Sequence, residues 1–212
     1  GAVSAANPAL RDHARFQMGR ALRLADRPRE LIEHFEAFLT QCPGSPRVAE
    51  ALQWIAWGWR KLDRPDHARA AYARATEQFI QDPRNDAVED ILLGEARLHP
   101  EGEARERWLE SVRARTAAAR VAGRATEWAR GVWLQALLAQ RRDPDRSAAR
   151  FRELVLDARP EALSARVMID LAEHEVAAGR VDAAERWYGE HARRFPRHRD
   201  RARALAGLGL IA

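Results

Sequence analysis

The residue types able to carry chemistry in this sequence are a few histidines, the carboxylates beside them and one cysteine. Residues 173–175 read Glu-His-Glu, but the second histidine that a metal-binding helix needs is absent. His191 and His198 are separated by Phe195 and Pro196, so they do not share a helix face. The seven histidines are scattered, and we interpret them as surface or boundary residues, an expectation that includes His191. The sequence therefore predicts no metal site.

Cys42 is the only cysteine, which excludes an intramolecular disulfide and a cysteine-rich zinc site. A cysteine nucleophile needs a basic partner. The sequence assigns none, so we expect Cys42 to pack at a helix end. The chain has neither a glycine-rich phosphate loop nor a serine nucleophile elbow. We therefore predict a protein without catalytic residues or cofactors, that is, not an enzyme.

The formal net charge is +5 and the isoelectric point is near 10.4, a balance that also occurs in nucleic-acid-binding proteins. Lys61 is the only lysine, and arginine with abundant alanine is the composition that a GC-rich genome produces. The 31 acidic residues are interleaved with the basic ones, a pattern typical of solvated helix faces. Nucleic acid is therefore the less favoured partner.

Targeting segments are not visible in the sequence. No run of 18 apolar residues exists, so no membrane span is predicted. The chain starts Gly-Ala-Val without a signal peptide, which we interpret as a processed or excised piece. The compartment stays open between the bacterial periplasm or envelope and the cytoplasm.

The elements that must position any functional side chain are predicted to be helices. Apolar residues recur at spacings of three and four residues, which is the helical period, and good helix formers dominate the composition. A small or apolar residue is followed four positions later by an aromatic, and this pair recurs about every 36 to 43 residues. The pairs are Leu31 and Phe35, Ala68 and Tyr72, Ala104 and Trp108, Ser147 and Phe151, and Ala184 and Tyr188. Such a period predicts stacked helical hairpins that bury their apolar faces against one another.

The pattern resembles the tetratricopeptide-repeat family most closely in three stretches. These read Met18, Gly19, Leu22, Leu31, Phe35, Phe38, Pro43; then Leu52, Ile55, Ala56, Trp59, Ala68, Tyr72, Ala75; and Met168, Leu171, Ala172, Gly179, Ala184, Tyr188, Ala192, Pro196. The chain departs from the family at Glu95 and Glu175, where an aromatic is usual. The resemblance implies an all-α fold, a right-handed α–α superhelix of about five hairpins plus a terminal helix.

The expected domain organisation is one helical-repeat domain over residues 1–212. Its repeats are expected at roughly 9–43, 46–83, 85–122, 125–160 and 162–196, followed by a terminal helix at 198–211. The run Cys42-Pro43-Gly44-Ser45-Pro46 resembles a joint in the bacterial envelope subgroup of this family, which includes outer-membrane-assembly lipoproteins and cell-division coordinators. It also fits an ordinary helix stop and restart.

In this family, the first helices of the hairpins line a concave groove that binds peptides. Mapping those positions predicts a partner-binding set of Phe16, Arg20, Arg23, Gln53, Trp57, Arg60, Lys61 and Arg97. Arginine binds carboxylates in bidentate fashion and tryptophan is a frequent anchor, so the set favours a protein or peptide with acidic groups or a free carboxylate. The alternative is a row of solvated arginines beside a partly buried tryptophan.

The family resemblance and the missing catalytic residues together predict a non-catalytic protein–protein interaction scaffold, with bacterial envelope assembly as one setting. Two alternatives stay open. The chain could be an accessory helical-repeat domain of a larger protein or enzyme. It could also bind RNA through its arginine-rich faces, including the basic run at residues 193–203.

Overall fold

Proline, glycine and aspartate divide the chain into helices. A computed structural model describes residues 8–211, and every regular element in that range is helical. The α-helices are α1 Pro8–Leu24, α2 Pro28–Gln41, α3 Val48–Lys61, α4 Pro65–Phe79, α5 Ala87–Ala96, α6 Glu103–Val121, α7 Ala125–Ala139, α8 Pro144–Asp157, α9 Ala165–Ala177, α10 Val181–Arg194 and α11 Arg201–Ile211. A one-turn 3-10 helix, Pro160–Ala162, precedes α9. The predicted all-α fold is confirmed, with consecutive helices packed in pairs.

Four of the helix–helix turns share one backbone conformation. A residue in the left-handed region follows the first helix, with φ of 50° at Asp26, 54° at Asp63, 69° at Gly123 and 72° at Gly179. The arginine after it donates its amide to the carbonyl five residues back, at 2.9–3.0 Å. This is the helix-ending geometry that glycine and, less readily, aspartate allow. It makes hairpins of α1–α2, α3–α4, α6–α7 and α9–α10.

The chain divides into two compact units. Unit 1 contains the residues up to Phe79 and Asp90–Leu98, and unit 2 contains Ile80–Glu89 and the residues from His99 on. The prediction of a single domain with five repeats stays a prediction.

The core of unit 1 is built around three phenylalanines. The Phe16 ring lies 5.4 Å from that of Phe35 and 6.0 Å from that of Phe38, and all three are buried. Tilted and edge-on contacts at these distances are the favoured geometry for aromatic rings. Met18 was expected to lie in a repeat core but is exposed, because the helical period places it on the outer side of α1.

Close helix approach in both units depends on glycines that face aromatic rings. A Cβ on Gly19 would overlap the ring of Phe35, and one on Gly94 would overlap Tyr72. In unit 2, a Cβ on Gly207 would lie 2.5 Å from the ring of Tyr188. The aromatic residues that recur in the sequence therefore fill space that a small residue on the facing helix leaves open.

Replacing Gly19 with valine is expected to lower the free energy of unfolding by about 1–3 kcal/mol, because the new side chain overpacks the Phe35 ring. Gly189 provides the matched control, since it lies in α10 and a Cβ there would meet nothing within 4 Å. Urea unfolding followed by circular dichroism compares the two. If Gly19→Val is as stable as Gly189→Val, α1 does not pack on α2 as described.

Candidate functional site

The helix α3 presents two different faces. Its buried residues form one stripe: Val48, Ala49, Ala51, Leu52, Ile55, Ala56 and Gly58. Gln53, Trp54 and Trp57 lie on the other side and are half-buried, while Arg60 and Lys61 are exposed. Spacings of three, four and seven keep these side chains on one face of a helix. Four of the predicted partner-binding residues therefore share one face of α3.

Cations lie over both tryptophans of that face. The Arg23 guanidinium of α1 is 4.4 Å from the ring centroid of Trp54, and the Lys61 ammonium is 5.4 Å from that of Trp57. Lys61 Nζ also lies 3.0 Å from Asp26 Oδ1. Distances below about 6 Å are those of cation–π attraction. We call Arg20, Arg23, Gln53, Trp54, Trp57, Arg60 and Lys61 the cationic–aromatic surface.

Phe16 does not belong to this surface. It is fully buried, packed on Phe35 and Phe38 and covered by the Arg47 guanidinium at 4.7 Å. Helical spacing places Phe16 in line with Arg20 and Arg23 but cannot show which side of α1 faces α2. The interpretation of Phe16 as a partner contact is therefore corrected, because no partner can reach a ring without exposed area.

The other predicted residues are accessible. Arg20 donates to Gln17 Oε1 at 3.4 Å and, like Arg60, has no acidic partner among residues 8–211. Arg97 is exposed on the turn after α5, in unit 1. Trp54 was not selected from the sequence. Its spacing of three from Trp57 was the signal that could have found it.

Trp59 lies apart from the cationic–aromatic surface. It was expected in a repeat core, but it is half-buried and its ring lies 4.5 Å from that of His67 on α4. Trp57 and Trp59 are two residues apart and therefore point in different directions from α3.

Residues 173–175 have structural partners in unit 2. Glu175 is buried and receives two hydrogen bonds from Arg180, from Nε at 2.6 Å and from Nη2 at 2.7 Å. These bonds lower the pKa of Glu175. His174 stacks on Phe151 at 4.7 Å. Glu175 thus joins the end of α9 to the turn before α10.

Cys42 is buried and lies 3.8 Å from Arg15 Nη1. Burial raises the pKa of its thiol, which disfavours the nucleophilic thiolate. Within residues 8–211, no three His, Cys, Asp or Glu side chains are grouped so that they could hold a metal ion. None of the helices in that range is long and apolar enough to cross a membrane.

His191 and His198, which do not share a helix face, meet in unit 2. Their ring centroids are 5.5 Å apart, and His198 Nε2 lies 2.8 Å from Asp86 Oδ2. The Asp200 amide donates to His198 Nδ1 at 3.1 Å. His191 is fully buried, and neither ring nitrogen has a hydrogen-bond partner in the described part of the chain. Burial lowers the pKa of His191, the nearby His198 lowers it further, and Asp200 and Asp86 oppose this.

This cluster predicts a loss of stability in mild acid. The pKa of folded His191 lies below the ordinary histidine value of 6.5, so the unfolded chain binds the proton more readily. The free energy of unfolding should therefore fall as the pH drops below 6.5. His174, whose pKa burial also lowers, acts in the same direction.

Urea unfolding at several pH values measures this dependence. His191→Leu should flatten it, whereas replacing the exposed His13 with leucine should not. An unchanged pH dependence in His191→Leu would show that His191 is not the group that titrates.

Comparisons with known proteins give matches among solved structures. No protein-family model matches the chain, and no curated protein matches it either. Among solved structures, the chain is similar to a thermophilic tetratricopeptide-repeat protein of Thermus thermophilus, with 23% identity. The similarity covers 93% of this chain and 98% of that chain, with a TM-score of 0.45.

Proposed function

We propose that the protein is a non-catalytic interaction scaffold whose cationic–aromatic surface binds an acidic segment of another protein. The observation that carries this proposal is the pair of cation-covered tryptophans, Trp54 under Arg23 and Trp57 under Lys61. Tryptophan and arginine are the side chains most enriched among residues that dominate binding energy.

The charges on this surface favour an acidic partner. Arg20 and Arg60 are exposed and have no acidic partner in the described part of the chain. A planar guanidinium binds a carboxylate through two parallel hydrogen bonds, which gives orientation as well as affinity. The apolar part of a partner side chain can cover the half-exposed indoles at the same time. An extended peptide with acidic side chains or a free carboxylate meets both requirements.

The helical architecture supports binding, because the surface lies on paired helices that hold the side chains in place before the partner arrives. Bacterial envelope assembly is the setting we propose, from the Pro-Gly-Ser-Pro joint between α2 and α3. Arg97 is a further proposed contact at the edge of unit 1.

A peptide-display selection tests the proposal. A random library is selected on the wild-type chain, and the enriched peptides are then compared on the wild-type chain and on the Trp57→Ala/Arg60→Ala variant. We expect enrichment of peptides rich in Asp and Glu or ending in a free carboxylate. If neutral or basic peptides are enriched, or if an RNA oligonucleotide binds this surface more tightly than any selected peptide, the proposed partner class is wrong.

A further inference from the structure

A separate cleft of about 380 Å³ lies in unit 2, far in sequence from the cationic–aromatic surface. It is formed by the first turns of α6, the end of α7, the turn at residues 140–143 and the start of α8. Its volume is at the lower end of the range in which proteins bind small molecules. A small ligand is therefore a better fit than a long peptide.

The cleft is lined by more cations than acids. Five arginines line it, at positions 105, 113, 141, 142 and 146, beside three acidic residues. The acids are already engaged: Arg142 lies 2.8 Å from Glu101, and Asp143 accepts a hydrogen bond from the Arg146 amide at 2.9 Å. Arg141 and the guanidinium of Arg146 have no acidic partner within residues 8–211. Two cations are thus free to hold an anionic group.

Gln135 on α7 contributes to the wall of the cleft. Its side chain is only 7% exposed, and its Nε2 donates to Thr116 Oγ1 at 3.1 Å. The Thr116 hydroxyl itself donates to the Val112 carbonyl at 2.7 Å. These bonds hold the wall between α6 and α7 in place, and the Gln135 amide oxygen is itself buried.

Apolar side chains complete the lining. Leu109, Leu137 and Leu138 are half-buried, and all three contribute to the cleft. Small-molecule sites combine such apolar walls with a few placed polar groups that orient the ligand.

We propose that this cleft binds a small organic anion with an apolar body. Arg141 and Arg146 bind the carboxylate or phosphate, and the leucines contact the apolar body. This site is independent of the proposed protein-binding function, since none of its residues belongs to the cationic–aromatic surface. Failure of either proposal therefore leaves the other standing.

Two-dimensional ¹H–¹⁵N NMR titration of the full chain with three probes tests the site. Hippurate carries a ring and a carboxylate, hippuramide lacks the charge, and phenyl phosphate replaces the carboxylate by a phosphate. We expect hippurate or phenyl phosphate to shift amides of α6, α7 and the 140–143 turn, and the tighter of the two identifies the head group. Hippurate should bind about tenfold more tightly than hippuramide.

Variants locate the site. Arg141→Ala/Arg146→Ala should weaken hippurate and phenyl phosphate at least about tenfold, because both arginines are exposed and the fold does not depend on them. Arg115→Ala/Arg197→Ala removes the same charge from exposed positions outside the cleft and should bind as wild type does. Equal losses in both variants, equal binding of hippuramide, or no shifts in the cleft with any probe would overturn the proposal.

Discussion

Replacing Arg130 with methionine is expected to lower the free energy of unfolding by about 3–5 kcal/mol. Arg130 is 1% exposed in unit 2, and its Nε lies 2.7 Å from Glu89 Oε1. Its two terminal nitrogens donate to the carbonyls of Ile80 and Asn85, both at 2.8 Å. Methionine fills similar space but leaves the Glu89 carboxylate and both carbonyls without the guanidinium, and an unpaired buried charge is costly.

A double-mutant cycle separates the interaction between Glu89 and Arg130 from the effect of losing either side chain alone. Glu89 Oε1 also accepts from the Ser164 hydroxyl at 2.7 Å, which ties the start of α9 to the same carboxylate. Glu89→Gln/Arg130→Met removes both charges, so it should lose less stability than the sum of the two single variants. Urea unfolding followed by circular dichroism measures all three variants.

A surface arginine provides the control for this experiment. Arg120 bridges Glu153 at 3.1 Å and Asp157 at 2.6 Å, but its side chain is 54% exposed. Arg120→Met should therefore cost about 1 kcal/mol or less. If Arg130→Met costs no more than this, the Glu89–Arg130 pair is not the buried support of unit 2 described above.

The Trp57→Ala/Arg60→Ala variant is expected to bind a selected acidic peptide about thirtyfold or more weakly than the wild-type chain. Truncating an anchor residue costs about 2 kcal/mol or more, and each 1.4 kcal/mol is a factor of ten. Trp57 supplies half-exposed indole area beneath Lys61, and Arg60 supplies a guanidinium free to bind a carboxylate. Trp54→Ala should weaken binding as well, because it removes the ring that orients Arg23. Fluorescence anisotropy of the labelled peptide measures both losses.

The same region offers a matched control. Trp59→Ala/Arg64→Ala also removes one tryptophan and one arginine, but Trp59 lies against His67 away from the cationic–aromatic surface. We expect this variant to bind the peptide as the wild-type chain does, with helical content retained in both double variants. If the two variants lose affinity equally, α3 does not bind the peptide through the face that carries Trp57.

Local patterns determined the helices and much of their pairing. The recurrence of an aromatic four residues after a small residue predicted where hairpins bury their cores, as Ala68 with Tyr72 and Ala184 with Tyr188 show. The same reasoning placed Gln53, Trp57, Arg60 and Lys61 on one helix face. It was wrong for Phe16, because periodicity defines a stripe on α1 but does not show which stripe packs against Phe35 and Phe38.

By itself, the sequence determined the all-α class, the helices and the candidate face of α3, because these depend on residues within two helical turns of one another. Tertiary structure alone decided which of the candidate residues are accessible, that Trp54 joins them, and that Glu89 meets Arg130 and Ser164. It also brought His198 to Asp86 and gathered Gln135 and five arginines around one cleft. Such contacts join residues dozens of positions apart, and a helical period carries no information about which distant side chains meet.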